Sequence, residues 1–161
     1  MSGAGWLLLF AVFAAAATGG GRSDGKAVTP TGGRRVRRPL RGIVGDGLGA
    51  ARDHGPHQGF DIYPTEGDRT VYAYGPGTVA DIIDGRASSL EARRRAGLYI
   101  DIAGDDGSLH RYLHLERVSV QKGQRVRRDE PIATVAGSHL HFEIRRGKHK
   151  YGEPMVPDFG S

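Results

Sequence analysis

The sequence predicts an all-β fold of mostly antiparallel sheets of short strands, with at most one short helix. After residue 42 the β-favouring runs are brief and bounded by Gly, Asp and Pro. The 26 glycines among 161 residues are enough to punctuate a succession of tight turns. A third observation is alternation: His139, His141 and Glu143 interleave with Leu140, Phe142 and Ile144. That is the period of two imposed on a strand with one buried face.

Residues 1–18 carry no charged side chain, and an apolar run from Trp6 to Ala17 ends in small residues before three glycines. The run is short for a membrane span and reads as a secretory signal peptide cut near Ala17 or Thr18, with an uncleaved anchor as the alternative. Either reading places the protein outside the cytoplasm, secreted or in the cell envelope. Residues 19–42 read as a basic, disordered linker rich in Gly, Pro and Arg. Within it, residues 22–41 hold seven basic and one acidic side chain, a net of +6, whereas 42–161 hold sixteen basic and seventeen acidic, a net of −1. The chain's overall +5 therefore belongs to the linker, not to the domain. Arg34, Arg35, Arg37 and Arg38 suit an anionic wall polymer. No aromatic residue interleaves them, which argues against nucleic acid as the partner.

The domain is expected over 43–161, long enough for one core. Its strands are expected at Thr70–Tyr74, Gly77–Ile83, Leu98–Ala103, Leu109–Leu115, Pro131–Val135 and His139–Ile144. Tyr74-Gly-Pro-Gly77 and Gly104-Asp-Asp-Gly107 are expected to close antiparallel hairpins. Ser88-Ser-Leu-Glu91 has the form of a capping box, so Leu90–Ala96 before Gly97 is expected as a short exposed helix. With no cysteine there is no disulfide and no thiolate ligand, so any metal must be held by nitrogen and oxygen.

Two distant fragments read as one metal site, His57-Gln-Gly-Phe-Asp61 and His139-Leu-His141. Two imidazoles and one carboxylate leave zinc an open position for water, as catalysis requires. Tyr112-Leu-His114-Leu115 has similar form, with Tyr112 and His114 expected on one face and the leucines on the other. His54, His110 and His149 have no matching partner and are expected at the surface. The basic cluster Arg145-Arg-Gly-Lys-His-Lys150 is expected as a solvated turn.

These fragments, with Gly49-Ala-Ala-Arg52-Asp53 and Val71-Tyr-Ala to Gly77-Thr-Val79, resemble in order and spacing the lysostaphin-type zinc metallopeptidases, which cut peptide cross-links in bacterial cell walls. The resemblance spans roughly residues 43 to 158. Pro56-His-Gln-Gly59 and Thr70-Val-Tyr-Ala73 also resemble leukocyte cell-derived chemotaxin, a secreted zinc-binding animal cytokine of the same fold.

The resemblance implies a lysostaphin-like fold of duplicated hybrid motif type and a Zn2+ cofactor. It implies His57, Asp61 and His141 as metal ligands, and His114 and His139 as the catalytic pair that handles the proton and the oxyanion. Glu143 is then a partner orienting a ligand, and Tyr112 a substrate-binding residue. The implied protein is a monomeric zinc metalloendopeptidase that hydrolyses peptidoglycan cross-links or a glycine-rich peptide, with zinc-activated water as nucleophile. The competing implication is a non-catalytic, secreted zinc-binding signalling or wall-binding module, which has no use for His114 and His139. The family's longer loop before the second histidine motif is reduced here to Ala136-Gly-Ser138, expected to close a hairpin beside a shallower groove.

Overall fold

The computed structural model describes residues 38–65 and 67–160. The elements in chain order are β1 (Gly42–Val44), β2 (Phe60–Pro64), β3 (Thr70–Tyr72), β4 (Gly77–Asp84), α1 (Glu91–Ala96), β5 (Leu98–Gly104), β6 (Leu109–Val118), β7 (Arg125–Val126), β8 (Pro131–Val135), β9 (Leu140–Arg145) and β10 (Pro154–Met155). All the strands pair antiparallel, in the order β1-β2-β9-β6-β5-β4-β7, with β10 added to β9 and β8 bridging β3 and β6. The fold is therefore all-β, as expected, with α1 as its one short helix among the described residues.

Alternation supplies the core. Leu140, Phe142 and Ile144 of β9 turn inward with Ile62 of β2, Ile100 and Ile102 of β5, and Tyr112 and Leu115 of β6. Each large side chain buried this completely contributes about 1.5–3 kcal/mol of transfer free energy. The expected linker ends earlier than residue 42, because Leu40 is fully buried, bridges to Val71, and follows Pro39, whose carbonyl accepts from Tyr72 N–H at 2.7 Å. Arg38 is also tied in, its Nη1 donating to Gly42 O at 2.9 Å. The segments expected as signal peptide and linker, up to and including Arg34, Arg35 and Arg37, lie outside the described residues. Among the described residues no helix is long and apolar enough to cross a membrane.

Gly104–Gly107 closes the β5–β6 hairpin as expected, but Tyr74–Gly77 does not join β3 to β4. Backbone bonds between Ala73 and residues 129 and 130 keep the chain beside the β8 side, and it then crosses to place β4 between β5 and β7. Gly77 permits that crossing, since a Cβ there would lie 2.6 Å from Ala103 O. Ala136–Ser138 closes no hairpin either. Both β8 and β9 pair with β6, β9 along Leu109–Leu113 and β8 from Leu115 onward, so the two follow one another along a single neighbour. The short connection replaces a chain reversal with a step.

His114 sits at that step. Ile100 pairs with Tyr112 and Leu98 with Leu115, so Leu113 and His114 together face one residue of β5, a β-bulge. His114 takes φ 64, the left-handed region unusual for a residue other than Gly. The bulge breaks the expected alternation: Tyr112 and Leu115 enter the core, while Leu113 and His114 line the same cavity as His139 and His141.

Helix α1 exists without its capping box: Leu90 is the N-cap, with no side-chain cap bond. Ser88 Oγ instead accepts from Leu90 N–H, and Glu91 pairs with Arg95 at 2.7 Å. His54 and His149 are exposed as expected. His110 is buried, against expectation, with its ring edge-on to Tyr74. Arg145 also leaves the solvated turn and is buried against Glu143, because it lies on the same strand face as His141 and Glu143.

Candidate metal centre

Register builds the centre. Strand β9 lies between β2 and β6, with Asp61 directly opposite His141 on one side and Leu113 opposite His141 on the other. His57 enters from the turn before β2. Its backbone is stitched to the preceding loop through His57 N to Ala50 O and Gly49 N to His57 O, both at 2.8 Å. Gly59 lets this turn close on β9: a Cβ there would meet Phe142 O at 2.4 Å and His141 Nε2 at 3.0 Å.

Three atoms converge as a result. His57 Nε2 lies 2.9 Å from His141 Nδ1, His141 Nδ1 lies 3.0 Å from Asp61 Oδ1, and His57 Nε2 lies 3.2 Å from the same oxygen. Tetrahedral ligands at zinc–nitrogen and zinc–oxygen distances are separated by about 3.4 Å, so the triangle is slightly tighter than a metal would hold it. The outer nitrogens fix the tautomers. His57 Nδ1 lies 2.9 Å from Gly47 O, a pure acceptor, and His141 Nε2 lies 3.0 Å from the Glu143 carboxylate. Each outer nitrogen therefore carries the proton, and the two inner nitrogens present lone pairs to a carboxylate oxygen. A proton on His141 Nδ1 can satisfy one edge of that triangle. A metal ion satisfies all three, so the donor set fits Zn2+, with no sulfur and a side left open.

The electrostatics agree. Burial alone would raise the Asp61 pKa, but the hydrogen bond and charge of His141, with His139 and His57, outweigh it and hold the carboxyl well below the usual range. Burial disfavours charge on His141, yet the Asp61 and Glu143 carboxylates overcome that and raise its pKa. The centre attracts positive charge. Arg52 meets the other Asp61 oxygen at 2.5 Å and Asp46 at 2.8 Å, fixing the carboxylate so that Oδ1 faces the imidazoles. Behind His141, Glu143 Oε2 accepts from Arg145 Nε at 2.7 Å and lies 3.5 Å from Arg111 Nη1, while Arg111 Nε reaches Asp101 at 2.8 Å. Burial opposes charge on Glu143, but His141 and then the Arg145 and Arg111 guanidiniums outweigh it and hold the carboxylate ionised and aimed at His141.

Two more histidines border the open side, a cavity of about 520 Å³. His139 Nε2 is 3.6 Å from Asp61 Oδ1, and its Nδ1 meets Ser138 Oγ at 3.0 Å. The His114 ring packs edge to face on His139, centroids 4.9 Å apart. Burial, then the neighbouring His139 and His141, push His114 down to about 4. The His139 pKa is lowered by burial, with Asp61 opposing and His141, Arg52 and His57 adding to the fall. Both rings are thus neutral near neutral pH and able to accept a proton.

Of the residues the sequence singles out, the structure brings His57, Asp61, His141, His114 and His139 to one cavity. Tyr112 does not line that cavity: it is fully buried and its hydroxyl accepts from Tyr74 N–H at 2.9 Å, because the bulge turns it to the opposite side from His114. Sequence reasoning assigned no role to Arg52, Arg111 or Arg145. Alternation along β9 would have found Arg145, two residues beyond Glu143 on one face.

The model of peptidase family M23 matches residues 55–155, the stretch that contains all five of these residues. The chain belongs to peptidase family M23. Two proteins of Vibrio cholerae, the peptidoglycan DD-endopeptidases ShyB and ShyA, are 35% and 34% identical over 95 residues. Each match covers 55% of this chain and 20% of the relative, so the chain matches about a fifth of the length of these curated relatives. The crystal structure of a zinc-containing peptidase from Vibrio cholerae is 29% identical, with a TM-score of 0.59, covering 78% of this chain and 39% of that one. The catalytic domain of lysostaphin from Staphylococcus simulans shares the fold with a TM-score of 0.59 at 21% identity, covering 72% of this M23 chain and 89% of that domain.

Proposed function

We propose that this M23 domain is a zinc-dependent endopeptidase that hydrolyses peptide bonds in peptidoglycan cross-links, acting outside the cytoplasm. The observation that carries the reading is the pairing of two different sets of histidines. His57 and His141 have their inner lone pairs committed to the Asp61 triangle, whereas His114 and His139 stand beside it with lowered pKa values. The peptidoglycan endopeptidases of Vibrio cholerae support the substrate class.

His57, Asp61 and His141 would hold the ion. Zinc there supplies Lewis acidity, which lowers the pKa of water toward neutrality and polarises a peptide carbonyl. His139 Nε2, facing the triangle, takes the proton from the attacking water. The His114 ring, packed on His139, steadies the negative charge that develops on the carbonyl oxygen, and the proton taken up by His139 passes to the leaving amine. Glu143 and Arg52 hold His141 and Asp61 in orientation throughout. The basic segment at Arg34, Arg35 and Arg37 adds attraction to an anionic wall polymer, while Arg38 serves the fold.

Incubation of the zinc-loaded protein with purified peptidoglycan, followed by mass analysis, tests the proposal. New amino termini at one type of bond, abolished by a chelator and restored by zinc, are expected. Intact peptidoglycan after incubation with a zinc-replete sample contradicts it.

A further inference from the structure

A second cavity, of about 240 Å³, lies between α1 and the segment that follows β9, and shares Ala92, Ala96 and Leu113 with the wall of the metal-centre cavity. Three cations line it, Arg93, Arg111 and Lys150, and no acidic side chain does. Arg111, on the floor, is already neutralised by Asp101 and Glu143 and lies over the Tyr99 ring at 5.4 Å. The two cations on the rim are different. On α1, Arg94 bonds to the Ser88 and Ser89 carbonyls and Arg95 pairs with Glu91, whereas the Arg93 side chain has no hydrogen bond or ion pair among the described residues. Lys150 has none either; its ammonium lies 5.0 Å from the Tyr151 ring centre, an arrangement that restrains it without neutralising it.

A third cavity bordering the metal centre lacks this charge. His114 and His139 also line a cavity of about 320 Å³ walled by the small residues Gly97, Ala136, Gly137 and Ser138, and its one cation, Arg86, is paired with Asp84. Of the two cavities that border the metal centre, only the one lined by Arg93 and Lys150 therefore carries unpaired positive charge among the described residues.

We propose that the cavity beside α1 is a substrate subsite for a carboxylate, held by Arg93 and Lys150, and that it sets which side of the metal centre the acidic branch of a peptide occupies. The identity of the ligand rests on the endopeptidase reading above. A guanidinium and an ammonium over a partly apolar floor of Tyr99 and Leu113 bind a carboxylate more strongly than cations surrounded by water do, because the floor excludes water from one side. Continuity with the metal-centre cavity makes one peptide long enough to occupy both.

Two synthetic cross-linked peptides test this, alike except that one carries free carboxylates and the other carboxamides. Affinity is measured by calorimetry on the full chain, zinc-loaded, in a His139→Ala background that slows turnover; cleavage is measured separately in the parent protein. The carboxylate peptide is expected to bind roughly tenfold tighter, a preference that shrinks with salt and falls toward unity in an Arg93→Gln, Lys150→Gln pair. Both positions are exposed, and the melting temperature of the pair checks that it folds. Equal affinity for the two peptides, or a preference that survives the double substitution, overturns the subsite. So does displacement by a glycerol phosphate polymer with no carboxylate preference, which assigns the cavity to a wall polymer. Carboxylate-selective binding without cleavage keeps the subsite and removes the endopeptidase reading, and cleavage of both peptides with equal binding does the reverse.

Discussion

His114 and His139 meet edge to face with ring centroids 4.9 Å apart and planes at 73°. The contact exists because two strands are interrupted at the same level. The bulge at His114 and the step at Ala136–Ser138 lie side by side, joined by the hydrogen bond from Ala136 N to His114 O at 2.8 Å. A longer strand register would bury His114 beside Tyr112. The backbone departure is thus what delivers a fourth histidine ring to the neighbourhood of Asp61.

Removal of the metal should destabilise the domain. An ion that binds only the folded state contributes about 4 kcal/mol when present at a thousandfold excess over its Kd. Chelation is therefore expected to lower Tm by roughly 10 to 20 degrees, with zinc restoring it, and His57→Ala should abolish both the zinc content and the zinc-dependent rise. A Tm indifferent to chelator means that the triangle binds no ion.

Glu143→Gln keeps the shape of the side chain but removes the charge that raises the His141 pKa and sets its tautomer. Zinc affinity, read by competition with a chromophoric chelator, should weaken by roughly 10 to 100-fold. Stability should fall as well, because Arg145 and Arg111 lose a buried partner. Unchanged affinity would show that Glu143 plays no part in orienting the ligand.

Tyr112→Phe separates a core role from a substrate role. It strands the Tyr74 N–H that the hydroxyl satisfies, at a cost of about 1–3 kcal/mol in denaturant unfolding, while kcat/KM stays at the parent value. A raised KM with unchanged stability would return Tyr112 to the substrate groove.

His110 supplies a pH dependence away from the metal centre. Burial lowers its pKa in the folded state, with Asp106 opposing and Arg128 adding to the fall. The unfolded chain then binds the proton more readily. The stability His110 protects is complete above about pH 6.5 and is lost as pH falls from there toward the folded-state pKa. His110→Leu should flatten the decline of Tm between pH 7.5 and 5 relative to the parent protein. Parallel Tm curves would show that His110 titrates alike in both states.

Much of this was legible because alternation is a local signal. Leu140, Phe142 and Ile144 against His139, His141 and Glu143 specify both faces of β9, and β9 positions the centre. The partners of β3 and β8 were not legible, since strand pairing depends on long-range register that Tyr74–Gly77 and Ala136–Ser138 do not encode. The burial of His110 and of Tyr112 follows from that register and from one positive φ at His114, which no residue preference announces. Leu40 reads as part of a basic linker in sequence, yet it finds the core through one bridge to Val71.

The most direct test of the endopeptidase reading measures zinc content and hydrolysis on the same samples of the parent protein, His114→Ala and His139→Ala. All three should hold zinc near one ion per chain, because neither histidine belongs to the Asp61 triangle. Peptide release from peptidoglycan should fall by roughly 10² to 10⁴-fold in each variant, and by little more when both are combined, since the two rings serve one transition state. Zinc-replete parent protein that releases nothing, or variants that hydrolyse at the parent rate, would contradict the account and leave a metal-binding module in its place.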